Sequence, residues 1–445
     1  MSAREGREPF NGALYGASQF LILIAMVPSL LPKPLRLGSM IFASWVAYKM
    51  IFTQTTGDMG GDLGLGSAVL QQLLIGIDFA LVTDPTSLKE LSDKNPTLVT
   101  ARPSKDRLIW ALKLYVNPRG IGWAHEPLYL PNRPSPLMPR LKFVVSRFTR
   151  MVGCILLECV IYVVDASNPG MTTPGMVLSQ APLKWRALGV ACFVVAGACR
   201  LNAMHTGLSA LVVGCGFSSP DRWPNFFGSP FDAWQLKILW RKVWHQNVRK
   251  SVLGCTSAVM SIFPVPTSTF GITLYKLSRL YVTFFLVGAA HVGGDRMLTG
   301  KLGAGAFKLF MLQPLGLTLE FFADYLWCRF IQQFSPPLRN KPTPLKTNGY
   351  FKDPTKSTET LDIGGYGNVG LRGYNQHRGQ GRDTAPTWVR FVGLVWVAVW
   401  AVWTVAFMVD PMCSVGMFTD PRVDLRQPNW FSALYAKSRH NGLEM

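Results

Sequence analysis

Six histidines occur in 445 residues, and two stand where an imidazole could act as a base or polarise a carbonyl. His245 lies in "LWRKVWHQNVRK", between tryptophans and a glutamine in a run of positive charge. His291 follows the apolar stretch "YVTFFLVGAA", which would carry it to bilayer depth. Ionisable residues at that depth are costly and usually face a cavity or a partner. The competing account of His291 is a neutral ring hydrogen-bonded between helices. His125 lies in the loop-like "RGIGWAHEP", and His205 sits inside a long apolar run, where an interhelical polar contact is the expected role. His377 and His440 fall in polar segments, as solvated side chains.

At helical spacing Lys237, Arg241, His245 and Arg249 are successively four residues apart and form one basic stripe. Trp240, Trp244 and Val248 form the adjoining apolar stripe. The pattern predicts a helix lying at the membrane surface, with tryptophans in the headgroup zone and basic ends reaching for phosphates. Plain surface anchoring explains the Trp and Arg residues but leaves the histidine unused. Alternatively the stripe receives a phosphorylated cosubstrate, lysine binding as a point charge and arginine as a fork.

The rest of the chain must position these residues within a membrane. Only 16% of the residues are charged, against roughly 25% in an average soluble domain. Eight apolar segments are readable, at 13–31, 38–52, 63–82, 148–165, 185–217, 280–292, 304–330 and 388–409. Several reach the ~20 residues that cross a bilayer core as a helix. The expected fold is an all-α polytopic membrane protein of about eight transmembrane helices, forming a single domain over 1–445. The second and sixth segments are short for a crossing. The uncharged stretch from Ser251 to Tyr275, broken at Pro264 and Pro266, either re-enters or crosses, and a crossing would invert everything after it.

The net charge of +20 gathers in alternate loops, which the positive-inside rule makes cytosolic, with both termini luminal. One of these, 336–386, is rich in Gly, Pro, Lys and Asn and reads as a flexible loop without a core. No zinc-ligand spacing or RNA-reading motif accompanies the charge, so nucleic acid is not an expected partner. Most of the eight cysteines lie in apolar segments without paired spacing, as small hydrophobes rather than a disulfide or metal framework. The first apolar run lacks a small-residue cleavage site and reads as a retained span.

"RWPNFFGSPFDAWQLKILWRKVWHQNVRK", from Arg222 to Lys250, resembles the signature of the fungal wax-synthase-like acyltransferases, relatives of the membrane-bound O-acyltransferases. That signature runs roughly W-P-x-x-F-G, then F-W-G-R-x-W-H-Q. Trp223, Pro224, Phe227 and Gly228 match its first part, and Trp240, Trp244, His245 and Gln246 its second. "NPRGIGW", "FFLVGAAH" and "FMLQPLGLTLE" resemble further family stretches in the same order. Leu239, Arg241 and Val243 depart from the pattern. "VGGD" after His291 gives an HxxxD-like spacing to Asp295; the intervening glycines argue against a shared origin with the soluble enzymes, but Asp295 could still orient the histidine.

The resemblance implies direct transfer of an acyl group, acetyl above all, from acyl-CoA to a hydroxyl of a lipophilic terpenoid-type metabolite. His291 would be the base, and His245, with Gln246 or Asn247, would polarise the thioester carbonyl. Lys237, Arg241 and Arg249 would meet the CoA phosphates. Acetyl-CoA is then a cosubstrate rather than a bound cofactor, no metal is implied, and the endoplasmic reticulum is the expected location. Wax-ester formation from a long acyl chain is an alternative. Two other classes compete: a membrane terpene cyclase using Asp78, Glu158 or Glu320 as an acid, and a transporter, which should show symmetry between halves.

Overall fold

The computed structural model describes residues 6–303, 305–334 and 385–418, and these are mostly helical. The segment 336–386 and His377 and His440 lie almost wholly outside them. The helices run α1 (Gly12–Met26), α2 (Lys33–Thr53), α3 (Met59–Ile77), α4 (Ser104–Tyr115), α5 (Arg140–Ala166), α6 (Pro169–Thr172), α7 (Leu183–Gly214), α8 (Leu236–Ile238), α9 (Arg249–Met260), α10 (Thr269–Thr299), α11 (Ala306–Phe334) and α12 (Thr387–Ser414). A two-stranded parallel ladder ties β1 (Glu8–Pro9) to β2 (Gln54–Thr55).

Each of the eight apolar segments lies on a helix, but five helices are both long and apolar enough to cross a membrane: Met59–Val82, Leu183–Gly214, Thr269–Thr299, Ala306–Trp327 and Thr387–Ser414. α1 is shorter, at 15 residues, and α2 and α5 are diluted by charge. The sixth expected span was too short because apolarity ends before the helix does. Ser268 caps α10 by accepting from the Gly271 N–H, and Gly300, at a left-handed φ of 74°, ends it after 31 residues. The stretch after Ser251 holds no helix long enough to cross before α10 begins at Thr269. α9 has 12 residues and rises about 18 Å, less than the ~30 Å hydrocarbon core.

Small residues set the central packing. Gly66 of α3 lies against the backbone of Gly293 and Gly294 of α10 so closely that a Cβ on any of the three would overlap the facing chain. Close backbone approach is how helices associate where lipid removes the hydrophobic drive. The two glycines after His291 are therefore contact points for α3, and the crossing sets the depth of that histidine. Leu236, Leu280, Phe284, Phe310, Leu317, Val397 and Trp400 form a buried cluster joining α8, α10, α11 and α12. Leu156, Val160 and Val163 on α5, and Phe391, Val395 and Val399 on α12, stay exposed, as lipid-facing surfaces do.

Candidate active site

The segment expected to be one interfacial helix is broken. α8 runs into a wide helical turn over Leu239–Val243, and Trp244 then turns extended at ψ 146°. A new helix begins only at Arg249. Lys237, Arg241, His245 and Arg249 therefore share no helix face, and the basic stripe does not exist. Gln246 explains the break, because its side-chain amide donates to the carbonyls of Trp240 (3.0 Å) and Trp244 (2.7 Å). Its oxygen accepts from Arg249 Nη1 at 3.1 Å. A side chain that satisfies carbonyls at a helix end offers the backbone an alternative to continuing. The Gly228 N–H takes the Val243 carbonyl at 2.9 Å, so the two halves of the Trp-Pro…Trp-His-Gln signature dock on each other.

The other residues expected to bind the acyl donor are dispersed. Lys237 reaches Asp324 at 3.8 Å. Arg241 lies over the Tyr129 ring at 3.9 Å. Asn247 sits half-buried in the turn before α9.

His245 occupies the extended linker inside an aromatic box. It stacks on Phe226 at 5.4 Å and meets Phe227 at 5.8 Å and Trp244 at 5.4 Å. Its Nδ1 is buried with no hydrogen-bond partner among the described residues. Burial first, then the fields of His291 and Arg119, push its pKa down to about 3. The ring is neutral at physiological pH, and one N–H is available to donate.

His291 stands on α10 with Nδ1 2.7 Å from the Val287 carbonyl. A carbonyl can only accept, so Nδ1 carries the proton and Nε2 the lone pair. Nε2 faces the Gln71 amide nitrogen of α3 at 3.5 Å, and the ring lies 4.6 Å from Phe310. Rings connect the two histidines: Phe310 lies 6.0 Å from Trp240, and Trp240 lies 6.2 Å from Trp244, the neighbour of His245. Gln313 holds Trp240 by accepting from its indole N–H at 3.3 Å.

Asp295 does not orient His291. Its Oδ2 accepts from the N–H groups of Gly305 (3.0 Å) and Ala306 (2.9 Å), opening α11. The HxxxD-like spacing combines a candidate base with a helix cap. The three carboxylates considered as carbocation-starting acids are likewise engaged. Asp78 pairs with Lys250 at 2.8 Å and accepts from Thr83. Glu158 pairs with Arg200 at 2.6 Å. Glu320 accepts from the Leu236 and Lys237 N–H groups and from the Trp396 indole.

His205 proves to be near the site: its ring packs on Phe226 at 4.9 Å and Trp223 at 5.5 Å. His125 packs beside Phe79 and Trp123, and burial, with the Lys250 charge, holds its pKa down at about 4. The reading of the sequence missed Arg119, Arg147 and Arg150, which converge on Asn225. The only local signals were the arginine of "NPRGIGW" and charges at the start of an apolar helix. Among the described residues no three His, Cys, Asp or Glu side chains gather as a metal site would require.

Residues 223–312 match the membrane bound O-acyl transferase family, a stretch that includes both His245 and His291. An acetyltransferase from Rhodocybe pseudopiperita is 27% identical over 67% of this chain and 78% of its own length. An acetyltransferase from Hericium erinaceus is 24% identical over 76% of this chain and 85% of its own. An O-mevalon transferase from Penicillium terrestre is 28% identical over 56% of this chain and 60% of its own. No solved structure matches. The matched stretch spans both histidines, and with these fungal relatives it supports reading the chain as a wax-synthase-like acyltransferase.

Proposed function

We propose that the chain transfers an acyl group, acetyl from acetyl-CoA, to a hydroxyl of a lipophilic terpenoid-type metabolite, in the endoplasmic reticulum membrane. The observation that carries the reaction is the tautomer of His291. With Nδ1–H held by the Val287 carbonyl, Nε2 is a fixed base inside an apolar setting. It takes the alcohol proton as the oxygen attacks the thioester carbon, and the tetrahedral intermediate collapses by expelling the CoA thiolate. The proton held on His291 then passes to that thiolate, giving the ester and CoA. An alcohol is a poor nucleophile until its proton is taken, and a positioned base is worth about 10²–10⁴-fold.

His245 donates to the oxygen of the intermediate as charge develops there. A neutral imidazole in a dry aromatic box is preorganised for this, needing no water to reorient. Gln246 is a positioning residue that breaks the helix and sets His245 on its linker, and Asn247 is a second candidate donor. Lys237, Arg241 and Arg249 would add positive potential on the donor side. CoA would enter from the cytosolic face, where the basic loops lie, and the acceptor would enter from the bilayer. Acetyl is favoured by the names of two of the relatives, while the O-mevalon transferase leaves another acyl group as the second reading. Microsomes supplied with labelled acetyl-CoA, or a longer acyl-CoA, and a panel of terpenoid alcohols test the proposal. Transfer that needs no acyl-CoA would overturn it.

A further inference from the structure

Three arginines from two segments meet at one neutral residue, Asn225. Arg147 and Arg150 lie three residues apart on α5 and so share a face, and Arg119 comes from the loop after α4. Arg147 Nη1 and Arg150 Nη1 donate to the Asn225 side-chain oxygen at 3.1 and 2.6 Å. Arg119 Nη2 donates to the Asn225 carbonyl at 3.1 Å, and Arg147 Nη2 to the Trp223 carbonyl at 2.6 Å. Arg119 is 6% exposed and Arg147 4%, while Arg150 opens to the surface.

Among the described residues none of the three forms an ion pair. The acid whose field reaches Arg119 is Glu126, and Glu126 is already paired with Arg133. Arg119 Nε is buried with no partner among the described residues. Burying guanidinium groups together without a counter-charge is unfavourable, and each keeps donors that one amide cannot use. Such an arrangement fits an anion with several acceptor oxygens, and guanidinium forks match phosphate. The cluster also adjoins the acyl-transfer site, because Phe226, the residue after Asn225, stacks on His245 and lies 5.5 Å beneath Arg119.

We propose that Arg119, Arg147 and Arg150 form a phosphate-binding subsite beside His245, filled by a phosphate ester. Its assignment to the phosphates of the acyl donor rests on the function proposed above; a phospholipid headgroup carries the same chemistry. The test uses the full chain in phosphatidylcholine nanodiscs, titrated calorimetrically with CoA and with pantetheine, which lacks phosphates. A second set of nanodiscs containing phosphatidic acid reports headgroup binding. Because Arg119 and Arg147 also brace a buried loop, the main variants are Arg150→Ala and Arg150→Lys, with Arg119→Lys beside them.

Arg150→Ala should weaken CoA binding about tenfold or more and flatten its salt dependence, leave pantetheine unchanged, and be partly rescued by Arg150→Lys. A loss confined to phosphatidic acid would keep the subsite and give it to the lipid. CoA and phosphatidic acid binding that both ignore the variants would overturn the proposal. The two readings fail separately. Arg150-dependent CoA binding without any acyl transfer leaves the subsite standing, and transfer with Arg150-independent binding leaves the reaction standing.

Discussion

At the scale of single residues, the proposed site depends on two imidazoles in different settings. His291 has its tautomer set by one backbone carbonyl, and His245 is buried among rings with the Arg119 charge nearby. With a pKa near 3 in the fold and about 6.5 when unfolded, His245 binds more protons in the unfolded chain. Its contribution to stability is therefore full above about pH 6.5 and falls as pH drops towards 3. At pH 5 the loss is about 2 kcal/mol. Thermal unfolding in detergent at pH 7 and pH 5 should show this loss in the native chain and a smaller one in His245→Phe. Equal losses in both would place the protonation elsewhere. The Asp295 cap gives a second check at this scale. Asp295→Asn, which keeps an accepting oxygen, should retain most transfer activity with the pH–rate profile unmoved. Asp295→Ala should cost about 1 kcal/mol of stability, the usual worth of a cap. A loss above a hundredfold in the asparagine variant would mean that the carboxylate acts on the histidine after all.

At the scale of elements, the crossing of α3 and α10 sets where His291 stands. Gly293→Ala should force the helices apart, costing about 1–3 kcal/mol as overpacking does. Transfer activity should fall with it, since Gln71 on α3 faces the histidine. An unfolding temperature and activity both equal to the native chain's would show that the close approach is not needed. The apolar segments were legible in the sequence because a helix in lipid needs only local composition and length. Their ends were less so: capping by Ser268 and Gly300 carried α10 well past its apolar stretch. The broken helix at His245 was not legible, because regular four-residue spacing predicted continuity and the interruption comes from Gln246 folding back on two carbonyls. His245 and His291 could be singled out from their surroundings and the family resemblance. The arginine cluster could not, because residues 119, 147, 150 and 225 meet only through the packing of α5 against the Trp-Pro segment.

At the scale of the whole molecule, apolar faces of α5 and α12 turn outward while ion pairs such as Lys250–Asp78 and Arg200–Glu158 are drawn inside. This arrangement suits a bilayer. If basic loops are cytosolic, an Asn-x-Ser acceptor placed at 173–177 should be glycosylated in microsomes, and one placed at 91–95 should not. The reverse pattern would put the His245 linker on the side away from cytosolic CoA. The most direct test of the whole account is transfer of label from acetyl-CoA to a terpenoid alcohol by microsomes carrying the native chain or His291→Ala. The account predicts a loss of at least about a hundredfold in the variant, at unchanged protein level. Unchanged transfer by His291→Ala would contradict it.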